Sequence, residues 1–174
     1  MMVRTRLAKA NDAILATDVV CRSIRELCVS DHHNDPGTLD RWLANKTPAH
    51  VESWIRNRDN HCVVGEIDNR LCGVGLLHDS GEIRLFYLAP GAQRQGLGRV
   101  IHAALEEHAR AWGHQSLHLQ STDAARPFYE AMGYVASAPR NHLHGQLWCY
   151  PYRKHLPPCQ TPMQAPRGSM PDTP

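Results

Sequence analysis

"LFYLAPGAQRQGLGRVIHAAL", residues 85–105, changes character twice. The apolar and aromatic run Leu85–Leu88 reads as a strand that stops at Ala89-Pro90-Gly91. From Gly98 onward Val100, Ile101, Ala104, Leu105, His108 and Trp112 recur with helical spacing, and Gly113 is placed to end the helix. Between them Gln93-Arg94-Gln95-Gly96-Leu97-Gly98 forms a strand-to-helix corner. A helix start exposes unpaired N–H groups and partial positive charge. Gly96 and Gly98 are expected to let an anion approach the backbone without meeting a Cβ, and Arg94 and Arg99 add charge. The expected occupant is a phosphate, and in particular a pyrophosphate. Two familiar phosphate loops do not fit. Gly91 and Gly96 have P-loop spacing, but Leu97-Gly98 stand where Lys and Ser/Thr are needed. Gly96-x-Gly98 and Gly73-x-Gly75 run on to Ile101 and His78 where a dinucleotide fingerprint requires Gly.

Outward from the corner, the chain reads as one α/β (α+β) domain over residues 1–156. A strand at 3–8 precedes a helix from about 13 to 29, with Ile14, Leu15, Val19, Val20, Ile24, Leu27 and Cys28 on its apolar face. A polar break at 30–37 and a short helix at 38–46 follow. Thr47-Pro48 starts another helix, Thr47 as cap. The period then changes, and 61–88 reads as an antiparallel three-strand meander. After the corner helix come a strand at 116–120, a helix at 124–132 closed by Gly133, and strands at 134–138 and 146–152. The expected architecture is a mixed, mostly antiparallel sheet with helices on both faces. Residues 157–174 include six prolines and few apolar residues, and are expected to be a disordered tail.

Composition removes several classes of function. The 174 residues carry 19 Lys and Arg against 17 Asp and Glu, with no basic excess for nucleic acid. No apolar run approaches a membrane span, and no signal peptide is visible. The six cysteines form no C-x-x-C pair, and His32-His33 has no evident third ligand, so no metal site is expected. These features suggest a cytoplasmic protein with reduced thiols.

The corner resembles motif A of the GNAT superfamily of N-acetyltransferases, Q/R-x-x-G-x-G/A, which Gln93, Gly96 and Gly98 match. "LFYLAP" resembles the exit of the family's fourth strand. "AARPFYEAMGYV" (124–135) resembles its second signature, in which a small residue leads to Phe-Tyr and then to Gly-Phe or Gly-Tyr. The resemblance covers roughly residues 60–136. It implies acetyl-CoA as donor, with the pyrophosphate on Gln93, Arg94, Gln95, Gly96, Leu97, Gly98 and Arg99. The pantetheine arm would lie in a wedge between splayed strands, against the backbone near Tyr87 and Leu88. Thr122 stands where many members carry Asn, a donor-side contact. Homodimers are common in the superfamily.

Acetyl transfer requires a neutral amine, about 4.6 kcal/mol from the ammonium of an alkyl amine at pH 7. A base supplies a rate factor of roughly 10² to 10⁴. Glu82 is the candidate base: it opens the strand feeding the corner, sixteen residues before Gly98, a spacing similar to that of GNAT members with a glutamate base on this strand. Glu66 and His78 are reserves, and a water chain is the alternative. The resemblance implies Tyr129 as general acid to the departing thiolate, near the CoA sulfur. The amine acceptor is expected against the helical region 13–57 and the last strands, where Asp31, Asp35 and Asp40 can attract a cation and Trp42, Trp54 and Trp148 can form a wall. Solvated acids and core tryptophans are the competing reading. Transfer of another acyl group, or CoA binding without catalysis, are the alternative functions.

Overall fold

In the computed structural model, which describes residues 1–143 and 147–158, the segments with a two-residue period form strands. These are β1 (Val3–Leu7), β2 (Asn60–Ile67), β3 (Arg70–His78), β4 (Glu82–Leu88), β5 (Ser116–Ser121), β6 (Val135–Ala136), β7 (Asn141–Leu143) and β8 (Leu147–His155). The helices are α1 (Ala13–Leu27), α2 (Val29–His32), α3 (Pro36–Leu43), α4 (Pro48–Arg56), α5 (Leu97–Ala111) and α6 (Arg126–Ala131). Strand order in the sheet is β1-β2-β3-β4-β5-β8-β6, with β7 paired to β8. Every pairing is antiparallel except β4 with β5. The mixed, mostly antiparallel sheet agrees with the expectation. The proline-rich stretch beyond Pro158 lies outside the described residues.

Glycine sets how closely α5 approaches the sheet. A Cβ on Gly65, Gly73 or Gly75 would lie 2.5–2.7 Å from Ile101 side-chain carbons. Leu97, Ile101 and Leu105 therefore sit directly on the backbone of β2 and β3, and all three are fully buried. Because their neighbours are packed as well, Gly75→Val should overpack this contact and lower stability by about 1–3 kcal/mol, measurable as a reduced denaturation midpoint. The opposite face is covered by α1, which packs on β3 and β4.

Two local expectations need correction. Ile14 and Leu15 are exposed; the buried stripe of α1 is Ala13, Ala16, Thr17, Val19, Val20, Ser23 and Ile24. Small residues let α1 lie close to the sheet, a signal hidden from a count of large apolar positions. The expected polar break at 30–37 contains α2, whose Asp31 and His32 are buried. His32 Nδ1 accepts from Asn34 N–H and Nε2 donates to the Ile24 carbonyl, so both ring nitrogens are engaged. No group of three metal-ligating side chains occurs among the described residues, and no helix among them is long and apolar enough to cross a membrane.

Three ring environments on β2 and α5 disfavour the charged form of histidine. His61 on β2 stacks on His108 of α5, centroids 3.5 Å apart. Burial, with His108 beside it, pushes His61 down to about 4. Burial likewise pushes His102 on α5 down to about 4. Between the ordinary histidine value and about 4 the unfolded chain binds more protons than the folded one, so stability falls as pH falls through that window. Urea midpoints at pH 7 and pH 4.5 should show the loss, and His61→Gln should make it smaller.

Candidate active site

β4 and β5 part company early. Their parallel register consists of Glu82↔His118 and Ile83↔Leu119, although β4 continues to Leu88 and β5 to Ser121. A register shift between Leu76 and Leu77 of β3 leaves Arg84 as an extra residue on β4, a bulge that bends the strand where the pairing ends. On its other edge β4 stays on β3. Ala89 N–H bonds the Cys72 carbonyl, so in this register Tyr87 and Leu85 also turn their backbone groups to β3. Phe86 and Leu88 therefore turn their N–H and C=O groups toward the widening gap. That is the wedge expected near Leu88. Phe86 was not anticipated as a backbone contact, because only the register reveals the alternation.

Above the wedge the chain makes its corner with three left-handed residues, Gly91 (φ 83°), Arg94 (φ 59°) and Gly96 (φ 84°). Gln93 Oε1 accepts from Gly91 N–H at 3.0 Å, and Gln95 Nε2 donates to the Gly91 carbonyl at 2.6 Å. These amides brace the loop. Val100 N–H bonds the Gly96 carbonyl. No side chain caps α5, so the N–H groups of Leu97, Gly98 and Arg99 are without backbone or capping partners among the described residues. A Cβ at Gly96 would meet nothing within 4 Å, so the space before these donors is open. The donor set suits the phosphates of acetyl-CoA by charge and geometry. Arg94 and Arg99 are exposed beside it, while the Leu97 side chain is core.

Gly98 also has a packing role. It is buried, and a Cβ there would lie 3.1 Å from Phe128 Cε2. The missing side chain admits the Phe128 ring of α6, so the two signatures touch. Phe86, Phe128, Tyr129 and Tyr134 pack edge-on or tilted, with ring centroids 5.3–5.9 Å apart. Tyr129 is buried, its hydroxyl is pushed up by desolvation, and it has no hydrogen-bond partner among the described residues.

The bulge at Arg84 determines which face Glu82 takes. Ile83 aligns with Leu77, and Phe86 with Gly75, on the α5 side of the sheet, whereas Leu85 and Tyr87 align with Leu76 and Val74 on the α1 side. Glu82, preceding Ile83, falls on the α1 side together with His118 across the parallel pair. Tyr129, packed on Phe86, approaches from the α5 side. Glu82 accepts from Arg84 Nε at 2.9 Å and is partly exposed. The two candidate groups thus stand on opposite faces, Glu82 at the base of the wedge and Tyr129 farther along.

The other sequence candidates separate by position. Thr122 Oγ1 accepts from Ala125 N–H at 3.3 Å and shapes the turn between β5 and α6. The Tyr87 side chain lies under α3, hydrogen-bonded with Trp42, and its phenol is pushed up by burial. Its backbone groups are turned to β3 rather than to the gap. Glu66 is held by Arg4 and Arg6 at 2.7 and 2.8 Å, and His78 by Ser80 and Asp79. Asp35 caps α3 through Thr38 N–H. Trp42 is core, Trp54 packs near His50 and Lys46, and Trp148 packs against Arg140 and His142. The three acids and three tryptophans do not converge on one cage. A separate open cleft of about 780 Å³ runs between α1, the β2–β3 turn and residues 89–92. It borders the corner but contains none of Phe86, Leu88, Leu97 or Tyr129, and lacks the row of unpaired helix donors.

The β4/β5 pairing ends beside the uncapped start of α5, within a mixed α/β fold. A family model described as acetyltransferase (GNAT) domain matches residues 30–156. The chain belongs to the GNAT acetyltransferase family, and it is an acyltransferase. No curated protein matches the sequence significantly. Solved structures share its fold. A GCN5-related N-acetyltransferase from Rhodopseudomonas palustris is 22% identical, covering 90% of this chain and 97% of its own, with TM-score 0.80. The PaiA N-acetyltransferase from Thermoplasma acidophilum, solved with coenzyme A, is 16% identical over 90% of this chain and 100% of its own, TM-score 0.75. YncA from Salmonella typhimurium, solved with its cofactor acetyl-CoA, is 16% identical over 95% and 100%, TM-score 0.68.

Proposed function

We propose that the protein acetylates a primary amine of a small molecule, peptide or protein, with the donor's pyrophosphate on the corner at 93–99 and its pantetheine arm in the β4/β5 wedge. The observation carrying this reading is the end of the β4/β5 pairing at Ile83↔Leu119 on the strand that leads directly into the unpaired N–H groups of Leu97, Gly98 and Arg99. Acetyl-CoA supplies a thioester activated toward attack by an amine. Phe86 and Leu88 present backbone donors and acceptors for the amides of the arm. Glu82, on the α1 face, takes the proton of the amine directly or through water. The Tyr129 hydroxyl, on the other face, supplies the proton for the thiolate. An amine approaching from the helical face of α1–α4 meets the base first, while the acid stays behind the leaving group.

The five described cysteines are free and accord with a cytoplasmic, reducing location. The near-neutral charge accords with a partner set of acetyl-CoA and amine rather than nucleic acid, and a homodimer would be ordinary for the family. The test is an amine panel at constant acetyl-CoA, with release of free CoA thiol as readout. Thiol release that requires an amine supports the proposal; amine-independent release alone would reject it.

A further inference from the structure

Asp31 is a buried carboxylate to which the chemistry above assigns no role. It lies on α2, in the helical layer, yet its partners lie 92 and 93 residues on, in the turn that follows β5. Oδ1 accepts from Asp123 N–H at 2.6 Å and Oδ2 from Ala124 N–H at 3.3 Å. These amides belong to the turn between β5 and α6, which also contains Thr122 and leads within one helical turn to Phe128 and Tyr129. The carboxylate therefore joins the acceptor-side helices to the far wall of the wedge, at the end where β4 and β5 are no longer paired. Here no sheet ladder fixes the spacing, so a side-chain tie has a mechanical consequence that it lacks in a continuous sheet.

Resting on the functional reading above, we propose that Asp31 is a positioning residue. It holds the 122–125 turn, and through it α6 and Tyr129, in register with the helices that receive the amine.

Two opposing effects act on the Asp31 carboxylate. Burial pushes its carboxyl up, more strongly than the two backbone donors pull it down. The titratable groups around it are His32 on α2, Cys28 before α2, Tyr87 on β4, Asp123 on the turn and Cys149 on β8. With its folded value above the unfolded one, the folded chain binds more protons between the two, so the ionised carboxylate makes the fold less stable at neutral pH. A positioning role shows on replacement as a loss of turnover larger than the loss of stability.

Asp31→Asn keeps the shape and one carbonyl acceptor but removes the charge and the second acceptor. Its melting temperature at pH 7 should stay within a few degrees of the parent, because relief of the buried charge and loss of one backbone acceptor act in opposite directions. Amide exchange at Asp123 and Ala124 should accelerate, acetyl-CoA affinity should stay within about threefold, and kcat should fall between about 10- and 100-fold, the scale of a small misplacement of a reacting group. Asp31→Glu should recover part of the lost kcat if its longer arm can reach either amide. A variant in which stability and activity fall together would mean that Asp31 is only structural. Parental exchange at Asp123 and Ala124 would overturn the tie itself, whichever amine is the substrate and even if none is found. If exchange accelerates while kcat is unchanged, the tie exists but does not position Tyr129, and the proposal fails.

Discussion

Replacing Gly96 by Glu is expected to weaken acetyl-CoA binding by more than about 100-fold, close to 3 kcal/mol or more. The residue sits at φ 84° immediately before α5, so any side chain brings some left-handed strain, on the order of 1–2 kcal/mol. Nothing in the protein lies within 4 Å of the new Cβ, so the fold has room for a side chain. The donor does not: a carboxylate would stand before the N–H groups of Leu97, Gly98 and Arg99, competing for them and repelling the phosphates. Gly96→Ala carries the strain without the charge and should lose less than about tenfold. Calorimetric titration of the two folded variants separates these terms. Equal affinity in Gly96→Glu and the parent would mean that the phosphates lie elsewhere.

Tyr129→Phe is expected to lower kcat by a factor of roughly 10 to 10⁴, with acetyl-CoA affinity nearly unchanged. The ring packs against Phe86, Phe128 and Tyr134, and phenylalanine preserves that packing. The hydroxyl has no partner to abandon, so its removal leaves no orphaned group in the protein and the fold should be as stable as before. Desolvation raises the phenol above its ordinary value, which keeps the acid protonated well into the alkaline range. Any alkaline fall in kcat/KM should therefore lie above the pH at which a free tyrosine ionises. Glu82→Gln should reduce activity mainly below pH 8, where the amine is mostly protonated, and recover at higher pH as neutral amine becomes abundant. Parental activity of Glu82→Gln at pH 7 would assign proton removal to a water chain, with Glu66 and His78 already engaged elsewhere.

The amount of this that was legible in the sequence follows the physics of each feature. The corner was legible because a strand stop, two glycines and a helical period fall within a few residues, all local signals. Thr47 as cap and Gly113 and Gly133 as helix ends were legible for the same reason. The face of Glu82 was not. It depends on one extra residue at Arg84 relative to β3, and a bulge leaves no mark in the pattern of a single strand. The purpose of Gly98 was hidden because its partner, Phe128, lies thirty residues away. Asp31 was misjudged because "SDHHNDPG" is polar throughout, and burial of its carboxylate follows from two amides at positions 123 and 124. Small residues on α1 concealed its buried face by the reverse error: Ile14 and Leu15 are large and apolar but exposed.

The central claim is the place of the donor, and backbone amide shifts recorded while acetyl-CoA is titrated in test it most directly. The largest changes are expected at Leu97, Gly98 and Arg99 and at Phe86 and Leu88, with Leu15, Arg22, Arg70 and Leu71 in the neighbouring cleft little affected. Shifts concentrated on that cleft, with the α5 start and the open edge of β4 unchanged, would contradict the account.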